Sequence, residues 1–185
     1  MTTARCLALA AALALFAAAP AHAHQRQLLR VGETDYLVVI GSLNEPVYTG
    51  DRSGVDLTVL AADPSAPFDS RAAGAKPVTG LDQTLQVEVK AQGASKVYAL
   101  EPVYRSPGKY EVVFYPTVAA TYAYRLFGTL GGAPVDVTFT CTPRGQDPVE
   151  DLSVVQLAGG VTRKGIVGGF GCPVDRAEAE FPPRR

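Results

Sequence analysis

The sequence predicts an all-β protein that folds as an antiparallel sandwich of about seven strands. Apolar residues alternate with polar ones along several short segments, which is the period of a strand with one buried face. After residue 23 no segment carries a long apolar stripe at helical period, and Gly and Pro interrupt the chain throughout. Short strands separated by turn signals at this spacing are typical of an immunoglobulin-like β-sandwich.

Seven segments carry the alternating pattern. In residues 85–90, for example, Leu85, Val87 and Val89 share one face of the strand and polar residues share the other. Residues 63–80 have no periodicity and are rich in Pro, Gly and Ala, so they are predicted to be an exposed connection. The predicted strands are residues 36–40, 55–60, 85–90, 97–100, 110–115, 122–129 and 135–141.

The first 23 residues have the layout of a secretory signal peptide. Arg5 gives a positive start, residues 6–19 are an apolar run, and two Ala-x-Ala sites follow that end at Ala21 and Ala23. The run is too short to span a bilayer. The mature protein is therefore predicted to be periplasmic or secreted, with no membrane span and with cleavage after Ala21 or Ala23.

The charge of the chain excludes some classes of partner. The chain has 17 Lys and Arg residues against 18 Asp and Glu residues, a formal net charge of −1. Such a balance gives no counterion-release drive toward nucleic acid and no polybasic surface for anionic lipid. No nucleic-acid partner is predicted.

Two cysteines, Cys141 and Cys172, remain after the signal peptide. An even pair in an oxidising compartment predicts a disulfide bond. A copper-thiolate pair is the alternative. The disulfide would tether the C-terminal part of the chain to the last predicted strand.

The chain is predicted to divide at residue 141. Residues 24–141 form the sandwich, and residues 142–185 form a linker, a small hairpin and a frayed tail. The hairpin is predicted because short apolar runs flank Gly159 and Gly160. The fraying is expected from Pro173 onward.

The motifs of common enzymes are missing from the sequence. There is no Gly-x-Ser-x-Gly, and "GGVTRKG" lacks the Gly-Lys-Ser/Thr ending of a phosphate-binding loop. Paired carboxylates such as Glu150 and Asp151 lie in polar segments, where a solvated surface is the simpler interpretation. The protein is therefore predicted not to be an enzyme.

The mature N-terminus is the first candidate metal site. Cleavage after Ala23 would expose His24, whose α-amine and imidazole can chelate one Cu(II) ion together. Cleavage after Ala21 would leave His22-Ala23-His24, which offers the square-planar nitrogen set that Cu(II) prefers. A histidine that stands at the cleavage site by chance is the alternative. His24 is the candidate ligand in either case.

Within residues 107–141, "PGKYEVVFYPT" and "TYAYRLFGTLGGAPVDVTFTC" resemble the C-terminal strands of the CopC and YtkA-like periplasmic domains. The shared features are Pro-Gly-x-Tyr, then Tyr-x-Tyr-Arg, then a glycine-bearing turn into an apolar strand. The resemblance implies a small immunoglobulin-like sandwich that handles copper, with the first mature residue, here His24, as a ligand. CopC members typically carry Asp-Gly-His at the hairpin, where this chain has Gly-Gly-Ala at 131–133. Copper would then bind at His24 with a carboxylate such as Asp56, or at the terminus alone.

Two functions remain open on the sequence. The first is an exported, non-enzymatic binding or accessory module that handles Cu(II) in the periplasm. The second is a structural or protein-interaction module of the cell envelope that holds no metal. The second would use residues 63–80, or a sheet edge near "KVYALEPVYR" where Tyr98 and Tyr104 could anchor an envelope protein.

Overall fold

The structure is a computed structural model, and it describes residues 23–176. The described part is mostly β and forms two antiparallel sheets, which confirms the all-β prediction. Residues 1–22 of the predicted signal peptide and residues 177–185 of the predicted tail lie outside the described residues. No helix within residues 23–176 is long and apolar enough to cross a membrane.

Thirteen strands follow one another along residues 23–176. The larger sheet has the order β11-β13-β1-β2-β3-β8-β7, with β12 beside β13 and β4 beside β3, and the smaller sheet has the order β10-β9-β5-β6. The strands are β1 (His24–Val31), β2 (Thr34–Ser42), β3 (Ser53–Ala61), β4 (Lys76–Pro77), β5 (Leu85–Ala91), β6 (Ala94–Ala99), β7 (Glu101–Pro102), β8 (Lys109–Phe114), β9 (Tyr122–Leu130), β10 (Ala133–Thr140), β11 (Val149–Asp151), β12 (Val155–Gln156) and β13 (Thr162–Gly168).

All seven predicted strands are present, as β2, β3, β5, β6, β8, β9 and β10, with ends within three residues of the prediction. The longest strand that the sequence did not predict is β1. Its inward positions include Gln25 and Gln27, both buried, where the alternating pattern would place apolar residues. The side chain of Gln27 donates a hydrogen bond to the carbonyl oxygen of Thr138 on β10 at 3.0 Å. This bond satisfies a buried amide and links the two sheets.

One main hydrophobic core contains side chains from both sheets. Leu57 of β3 and Leu126 of β9 are both fully buried within it. The ring of Tyr124 on β9 lies edge-on to Phe114 of β8, with centroids 6.1 Å apart, and stacks on Phe170 at 5.0 Å. Because one core is built from both sheets, the sheets depend on each other for their stability.

Strands that follow the predicted domain boundary at residue 141 pair within the larger sheet. β12 and β13 pair as the predicted hairpin requires, but β13 also pairs with β1 and so lies inside the larger sheet. Val161 and Phe170 are buried in the main core. The physical reason is that β1 has two edges, of which residues 24–141 cover only the one that pairs with β2. β13 supplies hydrogen-bond partners for the other edge.

The predicted fraying from Pro173 is not observed through Arg176. The backbone N–H of Val174 donates to the carbonyl oxygen of Val47, and the N–H of Thr49 donates to that of Val174, both at 3.0 Å. The Arg176 guanidinium forms an ion pair with Asp51. This part of the chain is therefore bound to the loop between β2 and β3.

Cys141 and Cys172 form the predicted disulfide, with Cα atoms 4.9 Å apart. The bond joins the end of β10 in the smaller sheet to the segment that follows β13 in the larger sheet. The backbone N–H of Thr142 donates to the carbonyl oxygen of Phe170 at 2.7 Å beside it. Because the two sulfur atoms are bonded to each other, they do not form the alternative copper-thiolate pair.

A second, smaller core lies on the outer face of the larger sheet. It consists of Leu28, Leu37, Val39 and Leu60, and Phe68 packs against it. Phe68 belongs to residues 63–80, which the sequence predicted as an exposed connection. The connection is present, but part of it folds over the sheet because Phe68 and its neighbours cover this apolar patch.

The outer face of the smaller sheet carries a network of ion pairs that predicts how acid affects stability. Arg125 on β9 donates two hydrogen bonds to Asp136, at 2.8 and 2.7 Å, and one to Glu88 at 3.0 Å. The hydrogen bonds from Arg125 hold the pKa of both carboxyls below their ordinary values of 3.8 and 4.5. A carboxyl whose pKa is lower in the folded state stabilises the fold above its ordinary pKa, and this stabilisation is lost as the pH falls through the lowered value.

We therefore expect Arg125→Gln to destabilise the protein at pH 7, and we expect this destabilisation to shrink as the pH falls through the lowered pKa values of Asp136 and Glu88. Urea denaturation at a series of pH values measures the difference in unfolding free energy. Arg144→Gln is the matched control, because Arg144 is exposed and forms no ion pair within residues 23–176. A destabilisation by Arg125→Gln that stays constant as the pH falls from 7 until both carboxyls are protonated would contradict the prediction.

Candidate functional site

His24 and Asp56 are brought together by the register of the larger sheet. His24 of β1 stands opposite Gly41 of β2, and Gly41 stands opposite Asp56 of β3. Directly opposed residues point to the same face of a sheet, here the outer face. Gly41 has no side chain, and a Cβ atom added there would lie 2.8 Å from Cδ2 of His24. The glycine therefore gives the imidazole room to cross β2 and reach Asp56.

The contact between the two side chains is a hydrogen bond. Nε2 of His24 lies 3.0 Å from Oδ2 of Asp56, and both side chains are partly exposed. An ionised carboxylate only accepts hydrogen bonds, so Nε2 is the nitrogen that carries the proton and donates. In the neutral imidazole, Nδ1 then keeps a free lone pair. The hydrogen bond to Asp56 therefore leaves Nδ1 as the ring nitrogen of His24 that can bind a ligand.

Glu45 is a further ionisable group close enough to sense His24. Its carboxylate accepts a hydrogen bond from the backbone N–H of Gly171 at 2.9 Å. Burial raises the pKa of Glu45 above its ordinary value of 4.5, while the bond from Gly171 and the charge of His24 act in the opposite direction. No sequence motif marks Glu45, which follows Asn44 in a loop.

The side chains alone do not form a complete metal centre. Among residues 23–176, no group of three or more His, Cys, Asp or Glu side chains is placed to hold a metal ion. His24 and Asp56 are close together, as the copper hypothesis requires, but a third ligand has to come from elsewhere. The α-amine that cleavage after Ala23 would create on His24 is the nearest source of one.

A cavity of about 380 Å³ opens beside the His24–Asp56 pair. The strands of the larger sheet form one wall and the segment 63–80 contributes another. This cavity could not be predicted from the sequence, because its walls come from parts of the chain that are far apart in sequence. Its lining residues are His24, Arg26, Val39, Asp56, Thr58, Ser70, Arg71 and Lys109.

The two tyrosines predicted to bind a partner are not brought into one groove. Tyr98 of β6 is half-buried, with its ring 6.1 Å from that of Phe114, and lines a groove of about 320 Å³. Tyr104 lies in the loop between β7 and β8, is 81% exposed and does not line that groove. Each tyrosine would have to contact a partner separately.

Comparisons of the chain with protein-family models, with curated proteins and with solved structures find no match. They neither support nor oppose the resemblance to CopC and YtkA-like domains. The function is therefore inferred from the geometry of the site and from the sequence.

Proposed function

We propose that this protein is an exported, non-enzymatic binding module that handles Cu(II) in the periplasm or outside the cell through His24. The observation that carries the proposal is the 3.0 Å hydrogen bond between Nε2 of His24 and Asp56. Histidines that bind metals commonly donate their second ring N–H to a carboxylate, which fixes the tautomer and the orientation of the ring. Asp56 occupies that position here, and Nδ1 is left as the ligand nitrogen.

The donor set fits Cu(II) once the chain begins at His24. The α-amine and Nδ1 of the same residue can close a chelate ring, and Cu(II) favours nitrogen ligands. Asp56 is then a positioning residue that acts through the imidazole. The sequence suggested Asp56 as a direct metal ligand. Here its Oδ2 contacts Nε2 of His24, whereas the nitrogen that would chelate copper is Nδ1.

The fold class that we propose is the immunoglobulin-like β-sandwich of the CopC and YtkA-like domains, preceded by a signal peptide at residues 1–23. Two antiparallel sheets with a common core, and the disulfide between them, support this proposal. In this chain β13 extends the larger sheet beyond the seven strands that the alternating pattern predicts.

A Cu(II) titration followed by electron paramagnetic resonance tests the proposal, on protein exported through its own signal and with its N-terminus verified by mass spectrometry. We expect one equivalent of Cu(II) with a nitrogen-rich spectrum, and loss of that signal in His24→Ala or after acetylation of the α-amine. Asp56→Asn should weaken the affinity about 10–100-fold, the range found when the partner of a ligating histidine is removed.

Asp147→Asn is the matched control for Asp56→Asn. Asp147 is exposed and forms no ion pair within residues 23–176, so its replacement should leave the affinity unchanged. Two results would contradict the proposal: Cu(II) binding that survives acetylation, or the absence of stoichiometric binding when the chain begins at His24.

A second candidate function is a structural or protein-interaction role in the envelope without a metal. The observation that favours it is the exposed strand β6, which pairs only with β5 within residues 23–176. Val97 on this strand is 47% exposed. A free strand edge with an exposed apolar residue can accept a strand from another protein. Absence of copper binding would favour a protein-interaction role at the edge of β6.

A further inference from the structure

The cavity beside His24 has the size and the construction of a small-molecule site. Its volume of about 380 Å³ lies within the range of about 300–1,000 Å³ that is usual for ligand pockets. β1, β2, β3 and β8 contribute lining residues from one side, and the segment 63–80 contributes Ser70 and Arg71. Five parts of the chain therefore meet around one concave surface.

The strand side of the cavity is set by register. Arg26 of β1, Val39 of β2, Thr58 of β3 and Lys109 of β8 stand opposite one another in a single row. Residues in such a row share one face of the sheet, and this row is two residues along from the one that holds His24. Arg26 and Lys109 thus stand at opposite ends of the row, with Val39 and Thr58 between them.

The loop side of the cavity is held in place by its own contacts. The carboxylate of Asp63 accepts hydrogen bonds from the backbone N–H groups of Ser65 and Gly74, both at 2.9 Å. The N–H of Arg71 donates to Asp69 at 2.8 Å, and Phe68 packs on the outer core. Arg71 is therefore presented from an ordered segment that is anchored to the sheet.

The charge around the cavity is unbalanced. Arg26, Arg71 and Lys109 form no ion pair within residues 23–176. The acid in the lining is Asp56, which is already bonded to His24, and Glu111 stands opposite Asp56 on β8 outside the lining. Several other cations on the two sheets do have ion-pair partners, as in the pairs Arg30–Asp35, Arg125–Asp136, Arg163–Asp151 and Lys164–Asp35, whereas Lys76 and Lys96 on the strands β4 and β6 have none within residues 23–176.

We propose that this cavity binds a small oxyanion with two or more negative charges, of the phosphate or polycarboxylate class. A guanidinium group offers paired N–H donors that match the oxygens of a phosphate or a carboxylate, and a lysine ammonium adds a point charge. The hydroxyl groups of Thr58 and Ser70 can donate to the remaining oxygens. The proposed site needs neither a metal nor a free α-amine, so anion binding can be tested without copper, even though His24 and Asp56 line the same cavity.

The test is a titration of the copper-free protein with inorganic phosphate and, separately, with citrate. Calorimetry measures the affinity, and amide chemical shifts in nuclear magnetic resonance spectra locate the ligand. We expect one equivalent of at least one anion to bind, with the largest shifts at Thr58, Ser70 and Arg71. Arg71→Gln and Arg26→Gln should each weaken binding about tenfold or more, since each removes charge-assisted hydrogen bonds. The anion that binds more tightly shows whether the site prefers a phosphate or a polycarboxylate.

Arg144→Gln is the matched control for Arg71→Gln, because both residues are exposed arginines in loops. It should bind the anion as the wild type does, and thermal unfolding of all three variants verifies that they are folded. Equal weakening by Arg144→Gln would overturn the proposal and indicate a general charge effect. Failure of both anions to bind at millimolar concentration would also overturn it. Binding of a polyglutamate peptide alone would reassign the surface to an acidic protein partner.

Discussion

Replacing Phe170 by alanine is expected to lower the unfolding free energy of the whole domain by about 3–5 kcal/mol. Phe170 is 1% exposed, and its ring stacks on Tyr124 with centroids 5.0 Å apart and planes 12° apart. Tyr124 belongs to β9 of the smaller sheet, whereas Phe170 follows β13 of the larger one. Truncation would leave a cavity in the main core, and Tyr124 would lose its stacking partner.

Urea denaturation followed by circular dichroism and by tyrosine fluorescence measures this effect, since the chain has no tryptophan. Val154→Ala is the control, because Val154 lies in the same C-terminal part of the chain but is 66% exposed. It should change the unfolding free energy by less than about 0.5 kcal/mol. A separate early transition in Phe170→Ala, with the main transition unchanged, would show that the C-terminal part folds apart from the rest.

Removing the Cys141–Cys172 disulfide is expected to lower the unfolding free energy by about 3–4 kcal/mol. The cysteines are 31 residues apart, and a cross-link of that span removes a corresponding amount of conformational entropy from the unfolded chain. A tethered tail would simply loosen when the bond is lost. Because β13 lies between β11 and β1, we expect the whole domain to lose stability in a single transition.

The double variant Cys141→Ala, Cys172→Ala makes this measurement. Alanine is preferred to serine because Cys141 is buried and a hydroxyl there would need a hydrogen-bond partner. The wild type treated with a reducing agent should give the same midpoint in urea. Hydrogen exchange adds a second criterion: faster exchange confined to residues 162–168, with β1 and β2 still protected, would contradict the prediction.

The strands that the sequence predicted are those whose inward residues are apolar. β1 was missed because Gln25 and Gln27 face the core, and the amide of Gln27 is satisfied by a carbonyl on the other sheet. The sequence predicted β13 as one arm of a small hairpin but not its pairing with β1, because Arg163 and Lys164 stand next to each other and Gly165 follows, so period-two alternation is weak. Both strands form because they pair with each other, and such long-range pairing leaves little trace in local sequence.

The candidate site was predictable only where local chemistry marks it. His24 stands out by its position after the predicted cleavage sequence, and Asp56 was suggested through the resemblance to CopC domains. The sequence did not reveal that Gly41 leaves room for the side chains of His24 and Asp56 to form their hydrogen bond. The placement of Arg26 and Lys109 in one row across the larger sheet was missed as well. Both depend on the register between strands, which a single sequence does not reveal.

The pairing of β1 with β13 sets the order in which this molecule can complete its fold. Gln25 lies opposite Gly168, so one of the earliest and one of the latest segments of the described chain are neighbours. A chain that emerges from a ribosome or from an export channel with its N-terminus first presents β1 long before its partner. The edge of β1 that pairs with β13 then stays without a partner until β13 has emerged. Such a delay leaves the larger sheet incomplete until β13 is available to pair with β1.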